Sequence, residues 1–330
     1  MMRWKIITLV FILAATGGTR ADLHAAGTHA AAAPMAPTKL NPAQVPADAK
    51  WIIYLNLDQT MRSPAAGKLL ADFLRSHPMA QNKVKNLEKV MGVKFPRDFH
   101  DILILGREIG SKHGVVVIHA SANQQVIEKF FKRNSTDIQV TTATDGVYKI
   151  VDRRGDATYE VSPSTDTFVV SRSKKSLMHE LHVLAGKAAG MATTNPLLSR
   201  ARHDIIMYLA DINMLKLADG SVRRHSPAWM KSVTGAWLAV RVKKEKLAVL
   251  GRLELINADS AARIVQMVQG WQAAMDLGGT SPNASPRQRF MAGVANRLNV
   301  GSIGKDIRIR WTMSLAKLLA GPQKRAPAPP

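Results

Sequence analysis

Trp51-Ile52-Ile53-Tyr54-Leu55-Asn56-Leu57-Asp58 decides how this chain is read, because a second run, Asp204-Ile205-Ile206-Met207-Tyr208-Leu209-Ala210-Asp211, repeats its plan. Each run has paired isoleucines near its start, an aromatic residue in the middle and a closing aspartate. β-Branched and aromatic residues over this length form a strand.

Outward from the first run, Ser63-Pro64 supplies an N-cap and a proline at the first helical position. Leu69, Leu70, Phe73 and Leu74 continue that helix. Val84, Leu87, Val90 and Met91 give a second one, closed by Gly92. Residues 102–105 and 115–118 form a hairpin, and Val126, Ile127, Phe130 and Phe131 mark the helix after it. Asp145-Gly146 joins strands at 138–142 and 147–151. Strands at 157–161 and 167–171 and a helix over 174–185, stopped by Gly186, close this part. From the second run the order recurs: a hairpin of 236–242 and 247–256 turning across 243–246, then a helix capped by Asn257 or Asp259 with Ala261, Val265, Val268, Trp271 and Met275. A helix over 286–298 and a strand over 306–312 end the series. The expectation is an α+β fold of two similar halves, 47–200 and 201–320, each an antiparallel-rich sheet with helices packed on one face. Internal duplication and two unrelated stretches in the same order both remain open.

This order resembles uncharacterised exported proteins of bacteria built from repeated strand, helix, hairpin and helix units. The resemblance rests on residues 45–58, on Gly114-Val-Val-Val-Ile-His119 leading into the Phe130 helix, and on residues 234–271. It implies export and an α+β fold, and it transfers no catalytic residue.

The ends fit export. Arg3 and Lys5 precede an apolar run over 6–15, and Thr19-Arg20-Ala21 offers small residues at the peptidase positions. The run is shorter than the roughly 20 residues of a membrane span. Cleavage near Ala21 would place the mature chain in the periplasm or outside the cell. An Ala/Pro-rich stretch over 22–46 reads as a disordered spacer, and 321–330 as a disordered tail.

The chain has no cysteine, which excludes disulfides, thiolate metal sites, thiol catalysis and lipid attachment through sulfur. Its net charge is +22, with Arg3, Lys5 and Arg20 in the signal, so the mature surplus is +19 (22 less 3). Such a surplus favours weak association with anionic envelope polymers or lipid head groups. The cations are dispersed and only 5% of residues are aromatic, so no specific nucleic-acid role is expected.

Catalytic signatures are missing. His179 and His182, three apart in Met178-His-Glu-Leu-His182, are the best metal-ligand candidates, but the zincin spacing His-Glu-x-x-His is not met. A helix burying Leu177, Leu181 and Leu184 explains the segment without a metal. Gly67-Lys68 lacks the rest of a phosphate loop, and no Gly-x-Ser-x-Gly elbow exists. Asp98 and Asp101 sit at a helix-to-strand junction where capping accounts for them. Arg154-Gly155-Asp156 reads as a turn, and Asn134-Ser-Thr136 and Asn283-Ala-Ser285 fit the glycosylation pattern by composition alone. No catalytic residue, cofactor or metal site is assigned. The expectation is a non-enzymatic envelope protein that binds or scaffolds. The alternatives are a cryptic periplasmic hydrolase and an electrostatic binder of anionic polymer or membrane.

Overall fold

The two matching runs become neighbours. Tyr54 lies opposite Tyr208 where the strands Trp51–Asn56 and Ile205–Asp211 pair antiparallel. The computed structural model describes residues 40–320 apart from 108–113, 122–124, 127–128, 130–138, 143–145, 152–156, 196–197, 199–204, 212–228 and 230–231. The signal, most of the spacer, the tail, most of the helix expected around Phe130, the Arg154-Gly155-Asp156 tripeptide and Asn134 lie outside the described residues.

Twelve strands among the described residues form one sheet. They are β1 (Trp51–Asn56), β2 (Phe99–Gly106), β3 (Gly114–Ala120), β4 (Gln139–Thr142), β5 (Tyr148–Val151), β6 (Ala157–Ser164), β7 (Thr167–Ser171), β8 (Ile205–Asp211), β9 (Val233–Lys243), β10 (Lys246–Leu255), β11 (Leu298–Ile303) and β12 (Asp306–Ser314). The helices among the described residues are α1 (Leu57–Met61), α2 (Pro64–Ser76), α3 (Pro78–Met91), α4 (Lys174–Leu184), α5 (Ala258–Thr280), α6 (Pro286–Ala295) and α7 (Leu315–Ala320). The spatial order is β11-β12-β10-β9-β8-β1-β2-β3-β7-β6-β5-β4, and every pairing is antiparallel. The chain is therefore α+β with a single continuous sheet rather than one sheet per half.

Local chemistry sets the helix ends. Ser63 Oγ accepts from Ala66 N and Pro64 follows at the first position, while Gly92 takes φ 68° after α3. Asn257, not Asp259, caps α5. Ser285 and Gln288 form a reciprocal capping box on α6. β11 was not anticipated, because Gly301 and two polar residues dilute its alternation.

The helices do not lie on one face. Along β2 and β3 every residue but His119 is buried. Ile52, Tyr54, Leu103, Leu105, Val115 and Val117 pack on one side with Leu177 of α4. Ile53, Ile102, Ile104, Val116 and Ile118 pack on the other with Leu57 and Met91. A run such as Val115-Val-Val-Ile118 has no polar position to leave in water, so both of its faces must be covered. The expected one-face packing is corrected accordingly.

The spacer boundary moves too. Leu40, Val45 and Ala49 are buried in the same cluster as Leu177. Asn41 caps a 3-10 turn, Pro42–Gln44, and Met191 N donates to Val45 O at 2.6 Å. Asn41-Pro42 is a cap followed by proline at the first turn position, so residues 40–46, expected within the 22–46 spacer, belong to the folded body.

Candidate functional site

Antiparallel pairing brings the end of β1, the start of β2 and the end of β3 to one edge of the sheet. Asn56 lies opposite Asp101, and Asp101 opposite His119. The register slips between Phe99 and Asp101, which makes His100 the extra residue of a bulge and re-aims its ring. His100 Nδ1 is 3.3 Å from Asp58 Oδ1, and its Nε2 is 3.1 Å from Ser121 Oγ. A carboxylate has only acceptors, so Nδ1 carries the proton and donates to Asp58, leaving Nε2 to accept from the Ser121 hydroxyl. Ser121 is exposed, whereas His100 is 9% exposed. The Ser121 amide donates to Asp98 O at 2.8 Å. Asp98 in turn accepts from Lys94 N across the 95–98 turn and pairs with Arg97, so it closes a turn rather than capping a helix.

Asp101 is not a cap. On the other face of β2 it accepts from His119 Nδ1 at 2.6 Å, and His119 Nε2 lies 3.2 Å from the Gln44 side-chain amide. Burial pulls the His119 pKa down, but the hydrogen bond it donates to Asp101 and the charges of Asp101 and Asp166 outweigh it, leaving it above the ordinary value.

Next to this face, α4 carries a misfit. Its buried residues are Leu177, Glu180 and Val183, with Leu181 and Leu184 only partly buried. The expected all-leucine face thus has a glutamate at its centre. Glu180 is 0% exposed, and neither carboxylate oxygen has a hydrogen-bond partner among the described residues. Burial pushes its pKa up to about 8, opposed by Arg107 and reinforced by Asp48. Arg107 and Asp48 pair with each other at 2.8 Å.

The metal candidates do not converge. His179 Nε2 lies 3.5 Å from Asp48 Oδ1, while His182 is exposed. Burial, then the Arg107 charge, lowers the His179 pKa despite Asp48. No cluster of three metal-ligating side chains occurs among the described residues. Gly67-Lys68 lies within α2, and Asn283-Ala-Ser285 leads into the α6 cap.

A different surface stands out on α5. Ala261, Ile264 and Val265 face the sheet. On the outer side Met267 is 51% exposed, Trp271 45% and Leu277 74%. Gly270, Ala274 and Gly278, also exposed, share that side at helical spacing, and Arg263 stands one turn before Met267. Beyond Arg263 the stripe carries no charge. α6 packs tightly on the end of α5: a Cβ at Gly279 would lie 2.2 Å from the Ala292 Cβ. Gln272 Nε2 donates to Ala295 O and Leu298 O at 2.8 and 2.6 Å. Between residues 260 and 300 the charged residues are Arg263, Arg287, Arg289, Arg297 and a lone acid, Asp276, which accepts from Asn296.

Asp58, His100, Ser121 and Glu180 escaped the sequence reading because their neighbours are set by sheet register and helix rotation. The available signal was positional: Asp58 follows the first strand, His100 stands at the start of the second and Ser121 directly follows the third.

No family model matches the chain, and no curated protein matches it. Among solved structures, crystal form III of TP0453 is similar with a TM-score of 0.48 at 12% identity, covering 84% of this chain and 96% of that one. Crystal form I of TP0453 gives 0.46 at 13% identity, covering 87% and 96%. Crystal form IV gives 0.47 at 11% identity, covering 86% and 96%.

Proposed function

We propose that this protein is an exported binding protein of the bacterial envelope that docks on anionic lipid surfaces through α5 and α6. The observation that carries this reading is the outer stripe of α5, uncharged beyond Arg263, with exposed Met267, Trp271 and Leu277, while Arg287 and Arg289 are exposed on α6. A solvated helix normally turns charges outward, so an outer side without them suits a partly apolar medium. Tryptophan and leucine favour the boundary between head groups and acyl chains, and a cation close to anionic head groups contributes about 1 kcal/mol. A net charge of +22 disfavours a second copy as the partner, since like-charged surfaces repel. No helix among the described residues is long and apolar enough to cross a membrane. Docking on the surface needs no such span.

The test is flotation with vesicles of phosphatidylglycerol and phosphatidylcholine against vesicles of phosphatidylcholine alone. The protein should float with the anionic vesicles and be released between about 10 mM and 1 M salt, as the Debye length falls from about 30 Å to about 3 Å. Trp271→Ser and the double change Arg287→Glu/Arg289→Glu should each weaken flotation. Equal flotation with neutral vesicles, or none with either, overturns the reading.

The halves are also proposed to descend from one duplicated unit. Supporting this, strand order read outward from the β8–β1 seam meets a hairpin on each side, β9–β10 and β2–β3.

A further inference from the structure

We propose that Ser121 is a nucleophile for acyl esters, with His100 as its base and Asp58 as the residue that positions the ring. The hydrogen bonds run in one direction, donated by the exposed Ser121 hydroxyl to Nε2 and by Nδ1 of the buried imidazole to the Asp58 carboxylate, at 3.1 and 3.3 Å. That is the connectivity a serine nucleophile needs: the base reaches the hydroxyl, and a third group fixes its tautomer. The molecule carries its own comparison. Asp101 and His119 form a second carboxylate–imidazole pair on the opposite face, but its outer nitrogen meets the Gln44 amide, which is no nucleophile. Of these two, the His100 pair ends on a hydroxyl, and that hydroxyl faces solvent.

In the reaction, Ser121 Oγ forms a bond to the ester carbonyl carbon as its proton passes to His100 Nε2. The carbon–oxygen bond to the leaving alcohol then breaks, and the alkoxide takes that proton. Water, deprotonated by His100, attacks the acyl-serine. The acid leaves, and the proton returns to Ser121 Oγ. No oxidant, reductant or further group is required. Because Ser121 is exposed and lies outside α5 and α6, this activity is independent of lipid docking and should proceed on a soluble ester without vesicles.

The experiment uses the full chain with p-nitrophenyl acetate and a fluorophosphonate probe, followed by mass spectrometry. A phosphonyl adduct at Ser121 and a burst of p-nitrophenol are expected. Ser121→Ala, a change at an exposed position, should abolish both. His100→Gln should slow labelling by about 10²-fold or more, in the range that removing a general base produces. Asp58→Asn should slow it while Asp58→Glu restores it, a rescue that a purely structural carboxylate would not give. Circular dichroism of each variant separates misfolding from lost chemistry. Labelling at lysines or other serines only, or an unchanged rate in Ser121→Ala, overturns the proposal.

Discussion

The hairpins on the two sides of the central seam share a topology and differ in burial. β2 and β3 are buried almost throughout, with clusters on both faces. β9 and β10 are mostly half-buried: α5 and a small cluster around Val242 and Leu315 lie on one face, and on the other Trp237 and Ala239 of β9 reach the main core. One flank of the sheet is thus an interior and the other a platform. A platform with one open face can present an outer helix as a working surface, whereas an interior can only hold side chains at its edges. The α5 stripe lies on the platform side, and the Asp58–His100–Ser121 chain lies at the strand ends of the interior.

Cutting apolar mass from each flank is the sharpest way to break this contrast. Ile104→Ala, at a fully buried site, should cost about 2–5 kcal/mol, whereas Leu250→Ala on β10 should cost about 1 kcal/mol, compared by urea denaturation. Equal costs would erase the distinction.

Glu180 gives the interior a pH dependence. Its pKa of about 8 in the folded chain lies above the 4.5 of an ordinary glutamate, so the folded state favours the protonated form. Its effect is harmless below about pH 4.5, and stability is lost as pH rises through 8. The Glu160 carboxyl, raised by burial to about 7, acts with the same sign. Denaturation midpoints measured from pH 5 to 9 should fall for the wild type. Glu180→Gln should flatten the fall and gain up to a few kcal/mol at the alkaline end, and an unchanged slope would contradict the buried, unpartnered carboxyl.

On the platform, Gly279→Leu should separate α6 from α5 and cost about 1–3 kcal/mol, since its Cβ meets Ala292. The β9–β10 turn offers a smaller, opposite effect. Lys244 and Glu245 adopt φ 48° and 55°, a region that favours glycine, and Leu315 N bonds to Glu245 O at 2.9 Å across it. Lys244→Gly should raise the thermal midpoint by the equivalent of about 1 kcal/mol. Smallest of all, Trp271→Ser should change folding stability by less than about 0.5 kcal/mol while weakening vesicle binding. A large loss of stability would mean that Trp271 serves the core.

Strands with β-branched runs, the Ser63-Pro64 and Ser285-Pro286 helix starts and the Gly92 stop were legible because their causes lie within a few residues. The layering was less so. The apolar positions of Val115-Val-Val-Ile118 required two covered faces, but nothing local named α4 and the 40–49 segment as one cover. At the candidate sites the reading failed for the same reason. His179 and His182 drew notice as neighbours in sequence, while Glu180 between them holds the buried position and His100 gains its partners from residues 42 positions before and 21 after it.

By itself the sequence determined the α+β class, most helix and strand positions, the cysteine-free composition and the strongly basic charge, because propensity, capping and charge are local or additive properties. Tertiary structure alone decided that Trp51–Asn56 and Ile205–Asp211 join in one sheet, that α5 turns an uncharged stripe outward, and that Asp58, His100 and Ser121 meet. Those outcomes depend on register and packing between distant segments, where a shift of one residue would send each side chain to the opposite face.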